Sequence, residues 1–362
     1  MKNRVKNIFN AIEKRIDAIV LKNSTYPYVD GNFFYATGLE TGIFEGSIAV
    51  LHPDGNMDLL ISELEAESAK KADANLHVYT SKENRDNIFK KMSSPLKNIG
   101  VNFKAIVYSD FCKLKDMCPK STFVDVSDGF TNVRLVKDDL EIQLIKQSCN
   151  IADAVMEKIP DLLFEEMHEY EIAAKIDYLM QKKGADRPAF DTISSFGKNT
   201  AEPHYSHGHT QLKKGDFALF DFGASFRRYN SDTTRTFVFG KASQRQKEMY
   251  KTVLEAQKIG FDIIRSGVKA CDVHNAVSSY IDTTQFKGRF IHSTGHSLGM
   301  AVHDGPGFSS DSDIVLKENM VLTVEPGVYI SGLGGVRIED DILVKKEGIE
   351  LLTISPRELI EI

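Results

Sequence analysis

Apolar and polar positions follow two different arrangements along this chain, and the change between them divides it. In the first part, short apolar runs bounded by polar residues read as buried strands at 18–21, 48–51 and 59–61, with 105–108 a further candidate. The segments 63–72 and 83–92 read as helices between strands. Val5, Ile8, Phe9 and Ile12 recur at helical spacing, with no continuous apolar core or small-residue cleavage site after them. That is the pattern of a surface helix and not of a signal peptide. Residues 1–130 are therefore expected to form an α/β domain, and no glycine-rich phosphate loop occurs in it.

Beyond about residue 130 the pattern lengthens. Asp138 or Asp139 is placed to cap a helix whose apolar face is Leu140, Leu144, Ile145, Ile151 and Val155. A second helix is expected over 169–182, ending near Gly184. A polar stretch with Pro203, His204, His207 and His209 follows, and then two strands at 217–222 and 233–239. The same order recurs. Helices are expected at 243–265 and 273–281, then a stretch with His292, His296 and His303, then paired strands within 321–344. The layout predicts a duplicated unit in 131–362: an α+β domain whose helices cover one face of a curved sheet.

Composition narrows the functional classes. At 362 residues, two domains are expected, because single cores rarely grow past about 250–300 residues. A net charge of −6 supplies no basic field for nucleic acid. No apolar run is long enough to span a bilayer. The four cysteines have neither metal-site spacing nor disulfide density, which points to a reducing cytoplasm.

The candidate chemistry lies in four acids set in apolar, strand-like contexts: Asp221, Asp232, Glu325 and Glu339. The spacings, 232 − 221 = 11 and 339 − 325 = 14, suit partners across hairpins. Any one of them, read alone, is a solvated acid or half of an ion pair, and Arg337 is a ready partner for Glu339. If the two units face each other, however, all four converge. A like-charge pair at ~4 Å costs about 4 kcal/mol at an effective dielectric near 20, so protons or cations must compensate. Two divalent cations would balance four carboxylates, and oxygen ligands with one imidazole suit manganese, cobalt, iron or zinc. His296 is the best single nitrogen ligand.

Five segments occur in a specific order: LFDFGA (219–224), SDTTRTF (231–237), STGHSLG (293–299), VLTVEPGVY (321–329) and GVRIEDDILV (335–344). Together they resemble the pita-bread metallopeptidases, a family that includes methionine aminopeptidase, Xaa-Pro aminopeptidase and prolidase. AEPHY (201–205) and VRLVKDDLEIQLIKQS (133–148) are similar to further elements of its Xaa-Pro branch. NFFYATG (32–38) is similar to an N-domain element of its creatinase-like and prolidase-like members. The resemblance implies a creatinase/prolidase-like N-terminal domain over 1–130 and a pita-bread catalytic domain over 131–362.

It also implies roles. Asp221 would chelate one metal ion, Asp232 and Glu339 would bridge two, and His296 and Glu325 would hold the other. Manganese or cobalt are the expected metals, with zinc or iron as alternatives. Glu325 would also move the proton of the attacking water. His204 and His303 would orient substrate and stabilise charge on its carbonyl oxygen. Thr234, Thr323 and Arg337 would support the ligands, Arg337 by orienting Glu339. His207, His209 and His292 match nothing essential and read as solvated or core histidines.

The implied protein is a cytoplasmic, homodimeric exopeptidase acting on small peptides with proline in second position, most like an Xaa-Pro dipeptidase. The alternatives are an Xaa-Pro aminopeptidase acting on longer peptides, a metal-free creatinase-like hydrolase, and a non-catalytic peptide-binding module. One departure matters. Many dipeptidases of the family carry an arginine shortly after the second catalytic histidine, whereas here Asp304-Gly305-Pro306-Gly307-Phe308 follows His303. Arg227, Arg228 and Arg289 are candidate substitutes for it.

Overall fold

A computed structural model describes residues 1–362. The chain divides into two units, Met1–Arg134 and Leu135–Ile362. The first is built on one six-stranded sheet. Its strands are β1 (Ala18–Lys22), β2 (Ile48–Leu51), β3 (Met57–Ser62), β4 (Asn75–Tyr79), β5 (Asn98–Val101) and β6 (Thr122–Asp125), in the order β4-β3-β2-β1-β5-β6. β1, β2 and β3 pair antiparallel, while β4, β5 and β6 join in parallel. Val20, Val50 and Leu60 pack with Phe89 and Leu114 from the helices Lys82–Ser93 and Tyr108–Met117.

The apolar run 105–108, expected as a strand, is not one. Ala105 and Ile106 both donate backbone bonds to the Asn102 carbonyl, forming a turn, and Tyr108 opens a helix. The partner beside β1 is instead the run 98–101. An apolar run of four carries no period long enough to separate a strand from a buried turn.

In the second unit, the two predicted helix pairs are present. Asp139–Met156 and Glu169–Lys182 form the first pair, and Gln244–Ile263 and Ala270–Asp282 form the second. The leading helix of each pair begins with a capping box: Asp138 with Glu141, and Ser243 with Gln246. Each box satisfies amide groups that the first turn leaves unpaired.

The strands of this unit are β7 (Arg187–Pro188), β8 (Ile193–Phe196), β9 (Phe217–Phe222), β10 (Ala224–Phe226), β11 (Tyr229–Asn230), β12 (Thr233–Val238), β13 (Val321–Val324), β14 (Gly327–Ile330), β15 (Gly334–Arg337), β16 (Asp340–Lys345) and β17 (Gly348–Leu351). They make short antiparallel ladders, β12-β9-β8, β13-β16-β17 and β14-β15, tied together by the bridge between Thr234 and Glu339. Phe220 and Phe222 of β9 pack on Val155, Ile172 and Ile176 of the first helix pair. Val328 and Val336 pack on Val253 and Val277 of the second. Helices thus cover one face, and the opposite face is left for polar side chains. No helix is long and apolar enough to cross a membrane.

Candidate active site

Alternation along the strands decides which side chains face away from the helices. Phe220 and Phe222 point into the core, so Asp221 points the other way. On β12 the register sets Thr234 across from Asp221, and Asp232 shares the face of Thr234 one alternation earlier. Asp221 and Asp232 are therefore diagonal neighbours and not an opposed pair. In the second unit of strands, Val324 pairs with Asp340 and Gly327 with Arg337. Both ladders share one register, which sets Glu325 across from Glu339. The Glu339 amide then donates to the Thr234 carbonyl at 3.1 Å, joining the two pairs of acids.

His296 reaches the same place on a segment running beside β13. Glu325 donates its amide to the Thr294 carbonyl at 2.8 Å, and Thr323 donates to that of His296 at 2.9 Å. Gly295 makes this approach feasible, since a Cβ there would lie 1.9 Å from the Thr323 carbonyl oxygen. The imidazole Nδ1 faces the Ser297 carbonyl at 3.3 Å, an acceptor, so Nδ1 carries the hydrogen. Nε2 is left as a lone-pair donor, 3.5 Å from both Asp232 Oδ2 and Glu325 Oε1.

These groups line a cavity of about 490 Å3, with His204 and His303 on it as well. The His303 ring stands edge-on to that of His296 at 4.3 Å. Burial, followed by the neighbouring His296, holds the His303 pKa below the usual imidazole value. Phe190, Ile193, Pro203 and Val302 supply apolar walls.

The supporting polar groups are specific. Thr234 donates its hydroxyl to Glu339 Oε2, and Thr323 donates its own to Glu325 Oε1 at 3.0 Å. Arg337 departs from expectation: its ion pair is with Asp221, Nη2 to Oδ2 at 2.5 Å, and not with Glu339. It reaches Glu339 only through Thr234, whose hydroxyl accepts from Arg337 Nε at 3.1 Å. The neighbouring strand explains this: the Arg337 backbone bonds the Thr236 hydroxyl on β12, one alternation from Thr234, whose ladder partner is Asp221.

His292 is a second correction. Read from the sequence as solvated or core, it lines the cavity. Its Nδ1 donates to the Ser293 carbonyl at 2.8 Å, so Nε2 accepts the Tyr329 hydroxyl at 2.9 Å. Arg337 in turn donates to the Tyr329 oxygen at 3.0 Å. Burial lowers the His292 pKa, in keeping with this neutral tautomer. No sequence signal marked the trio, because the bond from His292 spans 37 residues. His207 and His209 do not line the cavity; His207 Nδ1 donates to the Thr192 carbonyl and His209 packs on Tyr170.

A buried cation network also went unread. Arg235 donates to the carbonyls of Thr234, Ser355 and Pro356 at 2.9, 2.7 and 2.8 Å, and pairs with Asp340 Oδ1 at 2.6 Å. Gln257 Nε2 donates to the Val324 carbonyl at 3.0 Å and to Asp340 Oδ2 at 2.9 Å. The backbone beside Glu325 and Glu339 is thus held from behind.

Do these residues fit a metal centre? Burial, followed by Glu339 and Asp221, pushes the Asp232 carboxyl well above the ordinary carboxylate range. Burial, followed by Glu325 and Asp221, does the same to Glu339. Asp221 Oδ1 and Asp232 Oδ1 are buried with no hydrogen-bond partner. Ligand atoms of Asp232, His296 and Glu339 all lie within 4.8 Å of one another. Unpaired buried carboxylate oxygens are costly unless a cation takes them up. The donor set, hard oxygens with one aimed imidazole nitrogen, fits divalent metal ions.

Similarity to known proteins extends over both units. Residues 143–346 match the model of metallopeptidase family M24, and residues 4–136 match the creatinase/prolidase N-terminal domain. The chain belongs to metallopeptidase family M24, whose pita-bread fold its second unit has, and the family implies divalent metal ions. Along its whole length it is similar to proteins of Xaa-Pro type. It is 37% identical to an Xaa-Pro dipeptidase of Pyrococcus horikoshii, covering 99% of each chain. An Xaa-Pro dipeptidase structure from Bacillus anthracis superposes with a TM-score of 0.92, at 31% identity and 99% coverage of each chain. An X-Pro aminopeptidase structure from Thermotoga maritima gives 0.91 at 31% identity, covering 96% of this chain and 98% of that one.

Proposed function

We propose that this chain is a metal-dependent Xaa-Pro dipeptidase, with Asp221, Asp232, His296, Glu325 and Glu339 holding two divalent ions, manganese or cobalt. The observation that carries the proposal is the meeting of these five side chains in one cavity, with carboxylate oxygens left unpaired and His204 and His303 beside them. The bound ions would supply Lewis acidity toward the scissile carbonyl and lower the pKa of an attacking water. Glu325 takes the water proton and returns it to the leaving nitrogen, its geometry set by the Thr323 hydroxyl on Oε1. The prolyl nitrogen carries no hydrogen, so cleavage requires that delivery. His204 and His303 orient the substrate and donate to the carbonyl oxygen as charge develops there. The acidic lining suits the free α-ammonium of a peptide, and the apolar walls suit a pyrrolidine ring.

Leu-Pro hydrolysis by the purified protein tests this reading. A chelator should abolish it, and added manganese or cobalt should restore it. Asp232→Asn should cripple metal loading. Full activity in rigorously metal-free protein would refute the assignment.

One observation favours a second reading, an Xaa-Pro aminopeptidase. Arg337 is the sole arginine lining the cavity, and it is committed to Asp221, Thr234 and Tyr329. Arg227, Arg228 and Arg289 lie elsewhere. Gly307 has no room for a side chain, since a Cβ would lie 2.4 Å from the His296 Cα. A guanidinium for the dipeptide carboxylate is therefore missing from the cavity wall.

A further inference from the structure

Glu169 is completely buried, and its carboxylate gathers four donors. Oε1 accepts the Phe196 amide at 2.8 Å and Asn199 Nδ2 at 3.0 Å. Oε2 accepts the Tyr205 hydroxyl and the Gly208 amide, each at 3.0 Å. Three of the four donors lie in the segment between β8 and β9 that carries His204, and the fourth, Phe196, is the last residue of β8. Glu169 itself is rigidly placed. It is the first residue of the helix Glu169–Lys182, where the helix dipole favours a negative charge. Its own amide donates to the Thr210 carbonyl at 3.1 Å.

A fully buried carboxylate is costly to desolvate, and the hydrogen-bond donors that compensate this one all lie within 196–208. Its bonds fall at both ends of the segment, Phe196 and Gly208, and on Tyr205, the neighbour of His204. From the other side, Arg337 Nη1 donates to the Pro203 carbonyl at 3.3 Å. The backbone on either side of His204 is thereby held between the helix and the metal-ligand face.

We infer that Glu169 is a positioning residue for catalysis: it fixes the 196–208 segment so that His204 meets the substrate carbonyl oxygen. This rests on the role proposed for His204 in peptide hydrolysis. None of the carboxylate's hydrogen bonds goes to a proposed metal ligand, so metal loading should not depend on Glu169.

The test uses the metal-loaded full chain with Glu169→Gln, Glu169→Ala and the milder Tyr205→Phe, which removes one donor and leaves the carboxylate. Glu169→Ala should lower kcat for Leu-Pro by roughly 10- to 100-fold, with KM changed less than about threefold. Glu169→Gln, which keeps an acceptor, should recover part of that loss, and metal stoichiometry should stay at the wild-type value. In a His204→Ala background the Glu169 substitutions should cost no more than about twofold, since the group they act through is gone. Amide hydrogen exchange should accelerate over 196–208 in Glu169→Gln and Tyr205→Phe, and nowhere else.

Additive losses in the double variant, or loss of metal, would overturn the inference. So would unchanged exchange over 203–208. Exchange needs no activity, so it separates the two proposals: wild-type protein inactive on Leu-Pro would sink the peptidase reading, whereas an unchanged exchange pattern would sink the anchor.

Discussion

Arg337 Nη2 lies 2.5 Å from Asp221 Oδ2, an ion pair between residues 116 positions apart in the chain. Burial opposes the guanidinium charge, but Tyr329, Asp221 and Glu339 outweigh it and hold the group cationic. The same guanidinium reaches Thr234, Tyr329 and the Pro203 carbonyl. It therefore ties one candidate metal ligand, Asp221, to Thr234, whose hydroxyl bonds another, Glu339. A lysine offers no planar fork to span these partners. Arg337→Lys is expected to weaken metal binding by ~10- to 100-fold while leaving the fold intact. Calorimetric titration of the metal-free variant with manganese, beside its circular dichroism, checks this. Wild-type affinity in a folded variant would show that Asp221 needs no such support.

Stability should depend on pH in opposite senses with and without metal. In the metal-free protein, burial and neighbouring carboxylates hold Asp232 and Glu339 protonated above the ordinary carboxylate range. The native state then binds more protons than the unfolded chain, so its stability falls as pH rises through that range. Cations replace those protons in the loaded protein, and metal binding becomes tighter as pH rises. The Tm difference between loaded and metal-free protein should widen between about pH 5 and pH 8. Thermal scans at several pH values measure it, and a constant difference would contradict the coupling.

His204→Ala and His303→Ala should each lower kcat/KM by roughly 10²–10⁴, the span for lost acid–base or oxyanion help. Metal stoichiometry should not change, because neither histidine belongs to the five-ligand set. Metal analysis of each variant beside its kinetics decides the matter. A metal-depleted His303→Ala protein would move that residue into the ligand set.

Substrate length distinguishes the two Xaa-Pro readings. A charge-assisted bond to the proline carboxylate is worth about 1.5–3 kcal/mol. With no uncommitted arginine on the cavity wall, that gain is missing. Leu-Pro should be cleaved, and Leu-Pro-Gly should be excluded only imperfectly. The ratio of kcat/KM for the two peptides measures the discrimination. A clear preference for Leu-Pro-Gly would replace the dipeptidase reading with the aminopeptidase one.

Local patterning made much of this protein legible. The helix Glu169–Lys182 could be read residue by residue, because its apolar period and Gly184 bound it within one stretch. The acids stood out because each carboxylate interrupts a strand-like apolar run, and such an interruption is a local anomaly. The run 105–108 misled for the converse reason: apolar content alone does not reveal which strand will pair with β1.

What the chain determined by itself was therefore short-range: elements, their duplication, and the residue types able to hold a cation. Only the tertiary structure decided partnership. Arg337 pairs with Asp221 and not with Glu339, because its backbone runs beside β12, the strand paired with Asp221. His292 joined the cavity through Tyr329, and Arg235 found its acceptors as far along as Pro356. Glu169 gathered donors that begin with Phe196, 27 residues on. Hydrogen bonds and ion pairs of this kind depend on distances of a few ångströms between segments remote in sequence. Those distances exist only once the strands have paired and the helices have packed upon them.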